Sequence, residues 1–157
     1  MAMFVATLCT TRAARAQSDG DSLYLAPGLV YSALDANYGR HAIGAELSLP
    51  WARGLFAVGP FVQAQWTPGG AHYVLGGEVV FSYFAVELGW FGHGAATHGR
   101  NGLSATALVG IGVIWLGARW STSIEGDMSV ALNLSLKVPF ALKGQNMVCD
   151  VLHLRNC

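Results

Sequence analysis

MSVALNLSLKVPFAL, residues 128–142, alternates without a break. Met128, Val130, Leu132, Leu134, Leu136, Val138, Phe140 and Leu142 are apolar, and Ser129, Ala131, Asn133, Ser135, Lys137, Pro139 and Ala141 between them are small or polar. Successive side chains of a strand point to opposite faces, so period 2 sustained this long reads as a strand with one apolar face. Which face meets water decides the rest. A soluble barrel hides the apolar face inside, whereas a barrel that crosses a membrane turns it outward to lipid.

The same alternation recurs from residue 22 almost to the end of the chain, broken by Gly, Pro, Asn and Asp clusters at intervals of roughly ten residues. Eight strands are predicted, over 22–34, 41–50, 55–66, 71–82, 84–92, 102–116, 118–124 and 128–142. Connections after residues 50, 82 and 116 are very short, while DANYGRH, TPGGA, GHGAATHGRN and SIEGD are longer and rich in turn formers. Short and long connections therefore alternate, as they do in barrels with tight turns at one end and longer loops at the other.

The polar faces point to a lumen. LFAVGPFVQAQW sets Phe56, Val58, Pro60, Val62, Ala64 and Trp66 against Ala57, Gly59, Gln63 and Gln65, with Phe61 as the exception. In AHYVLGGEVVFS, Tyr73, Leu75, Val79 and Phe81 oppose His72, Gly76, Glu78 and Ser82. Glu46 and Ser48 oppose Ile43, Leu47 and Leu49, and Glu87 and Gly89 oppose Val86, Leu88 and Trp90. A face turned to water would carry long charged side chains throughout. Small residues with isolated carboxylates suit the inside of an eight-stranded barrel, which is just wide enough for side chains to fill it. Trp51, Trp66, Tyr73, Tyr83, Trp90, Trp115 and Trp120 fall at or near strand ends, where an interfacial ring satisfies its apolar body and its polar NH or OH together.

Composition agrees. Only 11% of the 157 residues are charged, against ~25% in an ordinary soluble domain, and 20 are Gly, nearly twice the usual ~7%. Zero net charge without a Lys/Arg run excludes nucleic acid as an expected partner. Residues 1–16 read as an export signal, a short apolar stretch closing on Ala14-Arg15-Ala16, although Arg12 and Arg15 follow the apolar part instead of preceding it. Residues 102–118 carry no charge and are just long enough for a membrane helix, but they hold four glycines and their neighbours alternate with period 2.

On these residues the chain resembles the small eight-stranded outer-membrane β-barrel proteins of Gram-negative bacteria, the OmpA/OmpX-like architecture, over residues 22–142. The most specific stretch is LSLKVPF, residues 134–140, which looks like the C-terminal signal ending on an aromatic, here Phe140, that the barrel-assembly machinery reads. Family members stop at that aromatic. This chain continues through ALKGQNMVCDVLHLRNC, with Cys149 and Cys157 able to pair in an oxidising periplasm.

The expectation is an all-β, eight-stranded, antiparallel up-and-down transmembrane β-barrel over residues 17–142, after a signal peptide at 1–16 and before a periplasmic tail at 143–157. It is expected in the outer membrane, in contact with lipid and lipopolysaccharide, with a structural or surface-interaction role, no catalytic site and no cofactor. Its lumen is expected to be plugged by Glu46, Gln63, Gln65, Glu78, Glu87, Asn133 and Lys137, with Arg40 and Arg119 near strand ends as further partners, because unpaired buried charge is costly. Two other functions stay open. One is a soluble periplasmic calycin-like barrel, which needs the apolar face inward around an apolar ligand. The other is a lipid A-modifying enzyme, for which THGRNGLS offers His98, Asn101 and Ser104 but no nearby acid. His93 and His98 make only a weak metal motif without a third ligand.

Overall fold

The computed structural model describes residues 22–33, 41–68, 70–94 and 100–143. The expected signal at 1–16, Arg40, His98, Cys149 and Cys157 lie outside them. Ten strands are present: β1 Ser22–Ala33, β2 His41–Ser48, β3 Trp51–Arg53, β4 Phe56–Thr67, β5 Gly70–Phe81, β6 Phe84–Gly94, β7 Arg100–Ile111, β8 Ile114–Ser123, β9 Met128–Lys137 and β10 Phe140–Lys143. They build eight staves, because β2 with β3 and β9 with β10 are each one stave interrupted at a proline. All pairings are antiparallel, in chain order from β1 through β9, and β1 closes the sheet by pairing with β9 and β10. The result is a closed eight-stranded antiparallel barrel, with no helix among the described residues.

Both interruptions follow from the missing N–H of proline, which cannot supply a ladder bond. At Leu49-Pro50 the ladder is carried by Leu49 N–H to Pro60 O (3.0 Å) and Tyr24 N–H to Pro50 O (2.9 Å). At Val138-Pro139, Val138 N–H reaches Pro27 O (2.9 Å), and β10 then resumes with Phe140 opposite Leu25. The expected single strand at 128–142 is therefore two segments of one stave.

Three turns at one end contain two residues each: Gly54-Leu55, Ser82-Tyr83 and Gly112-Val113. In each the first residue has positive φ, at 61°, 54° and 64°, as the type II′ hairpin demands. The last of these corrects the expected strand at 102–116, since the chain already reverses at residue 112. Uncharged, hydrophobic continuity across GIGVIW hid the turn. At the other end, the connection expected to be long at TPGGA shrinks to residues 68–69 because β4 and β5 pair as far as Thr67 and Gly70. Each short turn is also tied to its neighbour in the sheet: Leu55 accepts a backbone hydrogen bond from Ser82 of the next turn, Tyr83 from Gly110 of β7 and Val113 from Lys137 of β9, at 2.8–3.1 Å.

The barrel carries most of its large apolar side chains on the outer face and most of its polar ones on the inner face. Outward positions carry exposed Leu29, Ile43, Leu47, Val62, Leu75, Leu88, Leu103, Leu116, Leu132 and Leu134. Inward positions are mostly glycine, alanine, serine and buried polar groups, including three glutamates, an arginine and a lysine, with Val30, Phe61, Val74, Phe91 and Leu108 as apolar exceptions. Among the described strand side chains, Arg53 is the one charged group on the outer wall; Glu46, Glu78, Glu87, Arg100, Arg119 and Lys137 all have inward parity.

Ser82 is the one non-glycine residue with positive φ among the described residues. Left-handed backbone costs an L-residue about 1–2 kcal/mol, partly offset by the greater unfolded freedom of glycine. Ser82→Gly is therefore expected to stabilise the barrel by about 0.5–1 kcal/mol, read as a higher denaturation midpoint; an unchanged or lower midpoint would contradict the turn geometry.

Candidate functional site

The lumen is built by strand parity. On β5 the inward row runs His72, Val74, Gly76, Glu78, and on β6 it runs Glu87, Gly89, Phe91, His93. Register sets Glu78 directly opposite Glu87, and His72 opposite His93. Like charges facing each other across a ladder repel, so a cation has to lie between them. It comes from the far wall: Lys137 on β9 places its Nζ 2.9 Å from Glu78 Oε2, 2.9 Å from Glu87 Oε1 and 2.5 Å from Glu46 Oε1 on β2.

A second cation extends the network toward the long-loop end. Arg119 on β8 donates through Nη1 to Gln65 Oε1 (3.1 Å), through Nη2 to Gln63 Oε1 and through Nε to Thr106 Oγ1 (3.3 Å). Gln63 donates from Nε2 to Glu46 Oε2 (3.1 Å), which also draws Ser48 Oγ to Oε1 (3.1 Å). Glutamine thereby links the two clusters, its oxygen to the guanidinium and its amide to the carboxylate. Gln65 Nε2 donates to Ser32 Oγ (2.6 Å). With the Asn133 amide turned to satisfy both of its ends, its oxygen accepts from Arg119 Nε (3.3 Å) and Nη2 (3.2 Å) and its nitrogen donates to Ser32 Oγ (2.6 Å).

Glu46, Gln63, Gln65, Glu78, Glu87, Asn133 and Lys137, the side chains expected in the lumen, are all buried and all belong to this one network. Arg119 differs from its expected place near a strand end. Because the preceding turn is at residues 112–113, it sits mid-strand and is 3% exposed at the hub of the network. Parity opposite Trp120 was the signal that could have placed it there. Thr106 and Ser32 were not singled out, since nothing marks a serine or threonine on a small-residue face until its partner is known. Phe61, the exception to its strand's pattern, packs with Val74 and Phe91 as an apolar cluster inside the barrel. On β5 and β6 that cluster separates the glutamates from His72 and His93, whose ring centroids are 6.4 Å apart.

Six of the strand-end aromatics, Trp51, Trp66, Tyr73, Tyr83, Trp90 and Trp120, are exposed. Trp115 corrects the seventh expectation: it lies on the inward face against its ladder partner Gly110, where a Cβ would meet the indole at 2.4 Å. Phe56, Phe81, Phe84 and Phe140 join the exposed aromatics at the short-turn end. Phe140 thus projects outward at the start of β10. Of the enzyme candidates, Ser104 is buried inside, 3.4 Å from the Ser121 hydroxyl, while Asn101 is exposed. The carboxylates of Glu46, Glu78 and Glu87 lie within 4.8 Å of one another, as a metal site would require, but the Lys137 ammonium already supplies the cation they surround.

No protein-family model matches the chain, and no curated protein matches its sequence. The class defined by fold and site is a closed eight-stranded β-barrel with a charged, hydrogen-bonded interior.

Removing one partner from a buried ion cluster leaves uncompensated charge and costs about 3–5 kcal/mol. Lys137→Met is expected to destabilise the folded barrel by that order in denaturant titration. Adding Glu78→Gln and Glu87→Gln is expected to recover part of the loss, since the three sites are coupled. Strictly additive losses would show that Lys137 does not neutralise these carboxylates.

Proposed function

We propose that the chain is an outer-membrane β-barrel protein of a Gram-negative bacterium, a plugged barrel with a structural or surface-interaction role in the envelope. The observation that carries this reading is the inversion of its faces. Burying apolar surface is the main driving force of folding in water, about 25 cal/mol per Å², and here most of the large apolar side chains remain on the outside, Leu103 at 65% and Ile111 at 69% exposure among them. Contiguous apolar surface on that scale marks a surface meant to be covered. Hydrocarbon covers every side of a closed barrel at once, and closure leaves no unpaired sheet edge to meet it.

The outer wall is also graded as a bilayer is. Exposed Trp51, Phe56, Phe81, Tyr83 and Phe84 ring the short-turn end, and Tyr31, Trp66, Tyr73, Trp90 and Trp120 cluster toward the long-loop end. Between them the wall is aliphatic, with Leu75, Val79, Val86, Leu88, Val109 and Leu116. Along β5, Tyr73 and Phe81 are eight residues apart. That is roughly 27 Å of strand, or about 20 Å of height at a tilt of ~40°, close to the ~25 Å apolar band of such barrels. A calycin-like carrier needs an open apolar interior, and the inward face here is mostly polar and bridged by the Lys137 and Arg119 network. On this reading the short turns face the periplasm, the longer connections contact lipopolysaccharide or other surface components, and Phe140 closes the signal read by the assembly machinery.

Two measurements test the proposal together. The folded protein is expected to float with phospholipid vesicles in a density gradient and to change mobility on boiling in a detergent gel. Recovery in an aqueous periplasmic extract without detergent would overturn it.

A further inference from the structure

In a closed barrel every stave has two neighbours, but one neighbouring pair differs from the rest. Successive staves are joined by short connections, whereas β9 and β10 meet β1 from the far end of the chain. That seam is also notched. Its register runs from Ala33–Leu132 to Gly28–Lys137 and resumes only at Leu25–Phe140. Between those stretches Ala26 and Pro27 lie opposite Val138 and Pro139, and each proline withholds an N–H from the ladder. The Val138 N–H to Pro27 O bond of 2.9 Å crosses the notch, and the register shifts again between Leu23 and Tyr24. The β5–β6 ladder, by comparison, pairs without a break from Ala71–Gly94 to Phe81–Phe84.

Lys137 belongs to the last ladder pair on the long-loop side of the notch. Register places Lys137, Gly28 and Glu46 side by side on β9, β1 and β2. Gly28 puts no side chain between the other two. The lysine stem lies over its bare backbone, since a Cβ on Gly28 would stand 3.3 Å from Lys137 Cγ and 2.9 Å from Leu136 O. The ammonium then meets Glu46 Oε1 beyond β1 at 2.5 Å, and Glu78 and Glu87 on the opposite wall at 2.9 Å. One side chain of the last stave is thereby held by β2, β5 and β6 at once.

We propose that the β9–β1 seam is a lateral latch, the joint at which the barrel opens locally, and that Lys137 is the bolt that keeps it closed. Bringing together strands far apart in sequence costs more chain entropy than closing a hairpin, and the two prolines thin the ladder that offsets it. Parting β9 from β1 draws Lys137 away from Glu46 and leaves buried charge uncompensated. The ion contact therefore opposes the opening that the notch favours. Neither feature depends on what covers the outer wall.

Residue-resolved hydrogen exchange of the folded, full-length protein, followed by NMR, tests both halves. Ladder alternation, fixed by the Val138–Pro27 bond, points the N–H groups of Leu29, Tyr31, Leu134 and Leu136 into the seam. Those of Val79 and Val86, in step with the Phe81–Phe84 pair that closes the Ser82-Tyr83 turn, point into the β5–β6 ladder. In wild type the seam amides are expected to exchange at least about tenfold faster than Val79 and Val86, by a local opening that low denaturant does not speed. Lys137→Met is expected to accelerate the seam by about a further tenfold or more, tenfold being ~1.4 kcal/mol, while Lys137→Arg, which keeps the cation, stays close to wild type. Adding Glu78→Gln and Glu87→Gln to Lys137→Met relieves the facing carboxylates without rebuilding the contact over Gly28. In that triple variant Val79 and Val86 are expected to slow back toward wild type while the seam stays fast. Wild-type seam amides as slow as Val79 and Val86 would overturn the latch with no variant needed. A seam that exchanges at the wild-type rate in the triple variant would overturn the role of Lys137.

Discussion

The interior of an eight-stranded barrel is too narrow to hydrate five charged side chains, and everything else in this protein follows from how Glu46, Glu78, Glu87, Lys137 and Arg119 are paired and hydrogen-bonded there. Three carboxylates share one ammonium, and Gln63 bridges the Glu46 carboxylate to the Arg119 guanidinium. Each charged group comes from a different stave. A slip of one residue in any of those registers would turn a charge out of the lumen and a leucine in. The network therefore specifies the pairing of the sheet as much as it fills the space within it.

With most of the interior taken by polar groups and the Phe61, Val74 and Phe91 cluster, the bulk of the apolar residues have only the outer wall to occupy. In water such a molecule would forgo most of the burial that offsets chain entropy. In a bilayer the same wall would be solvated by hydrocarbon, the closed ladder would pair the strand backbone, and the charges would be held away from lipid. The exterior reading is thus a consequence of the interior network, and the aromatic belts and the rim position of Arg53 add detail to it.

Much of the barrel was legible in residues whose parity could be read directly. Glu46, Glu78, Glu87 and Lys137 stand alone among small or apolar neighbours, so alternation alone assigns them to one face. The Gly112-Val113 turn was not legible, because the hydrophobic character of GIGVIW runs through it without a break and a two-residue turn needs only one glycine. That single misplacement shifted Arg119 toward a strand end and put Trp115 on the wrong wall. Partnership was harder still to read. Nothing local distinguishes Thr106, which meets Arg119, from other hydroxyls on the small-residue face, since the contact depends on a ladder register that only the closed sheet defines.

The orientation of the β9 stave is the most direct test of the whole. Nitroxide labels placed singly along residues 128–137, with Cys9, Cys149 and Cys157 replaced by serine, would report collision with oxygen and with a water-soluble paramagnetic nickel chelate in reconstituted vesicles. Expected is a period of two, with Val130, Leu132, Leu134 and Leu136 in contact with oxygen-rich hydrocarbon and Ala131, Asn133 and Ser135 shielded from both reagents. If the even-numbered positions collide instead with the nickel chelate, the apolar wall faces water and the account is wrong.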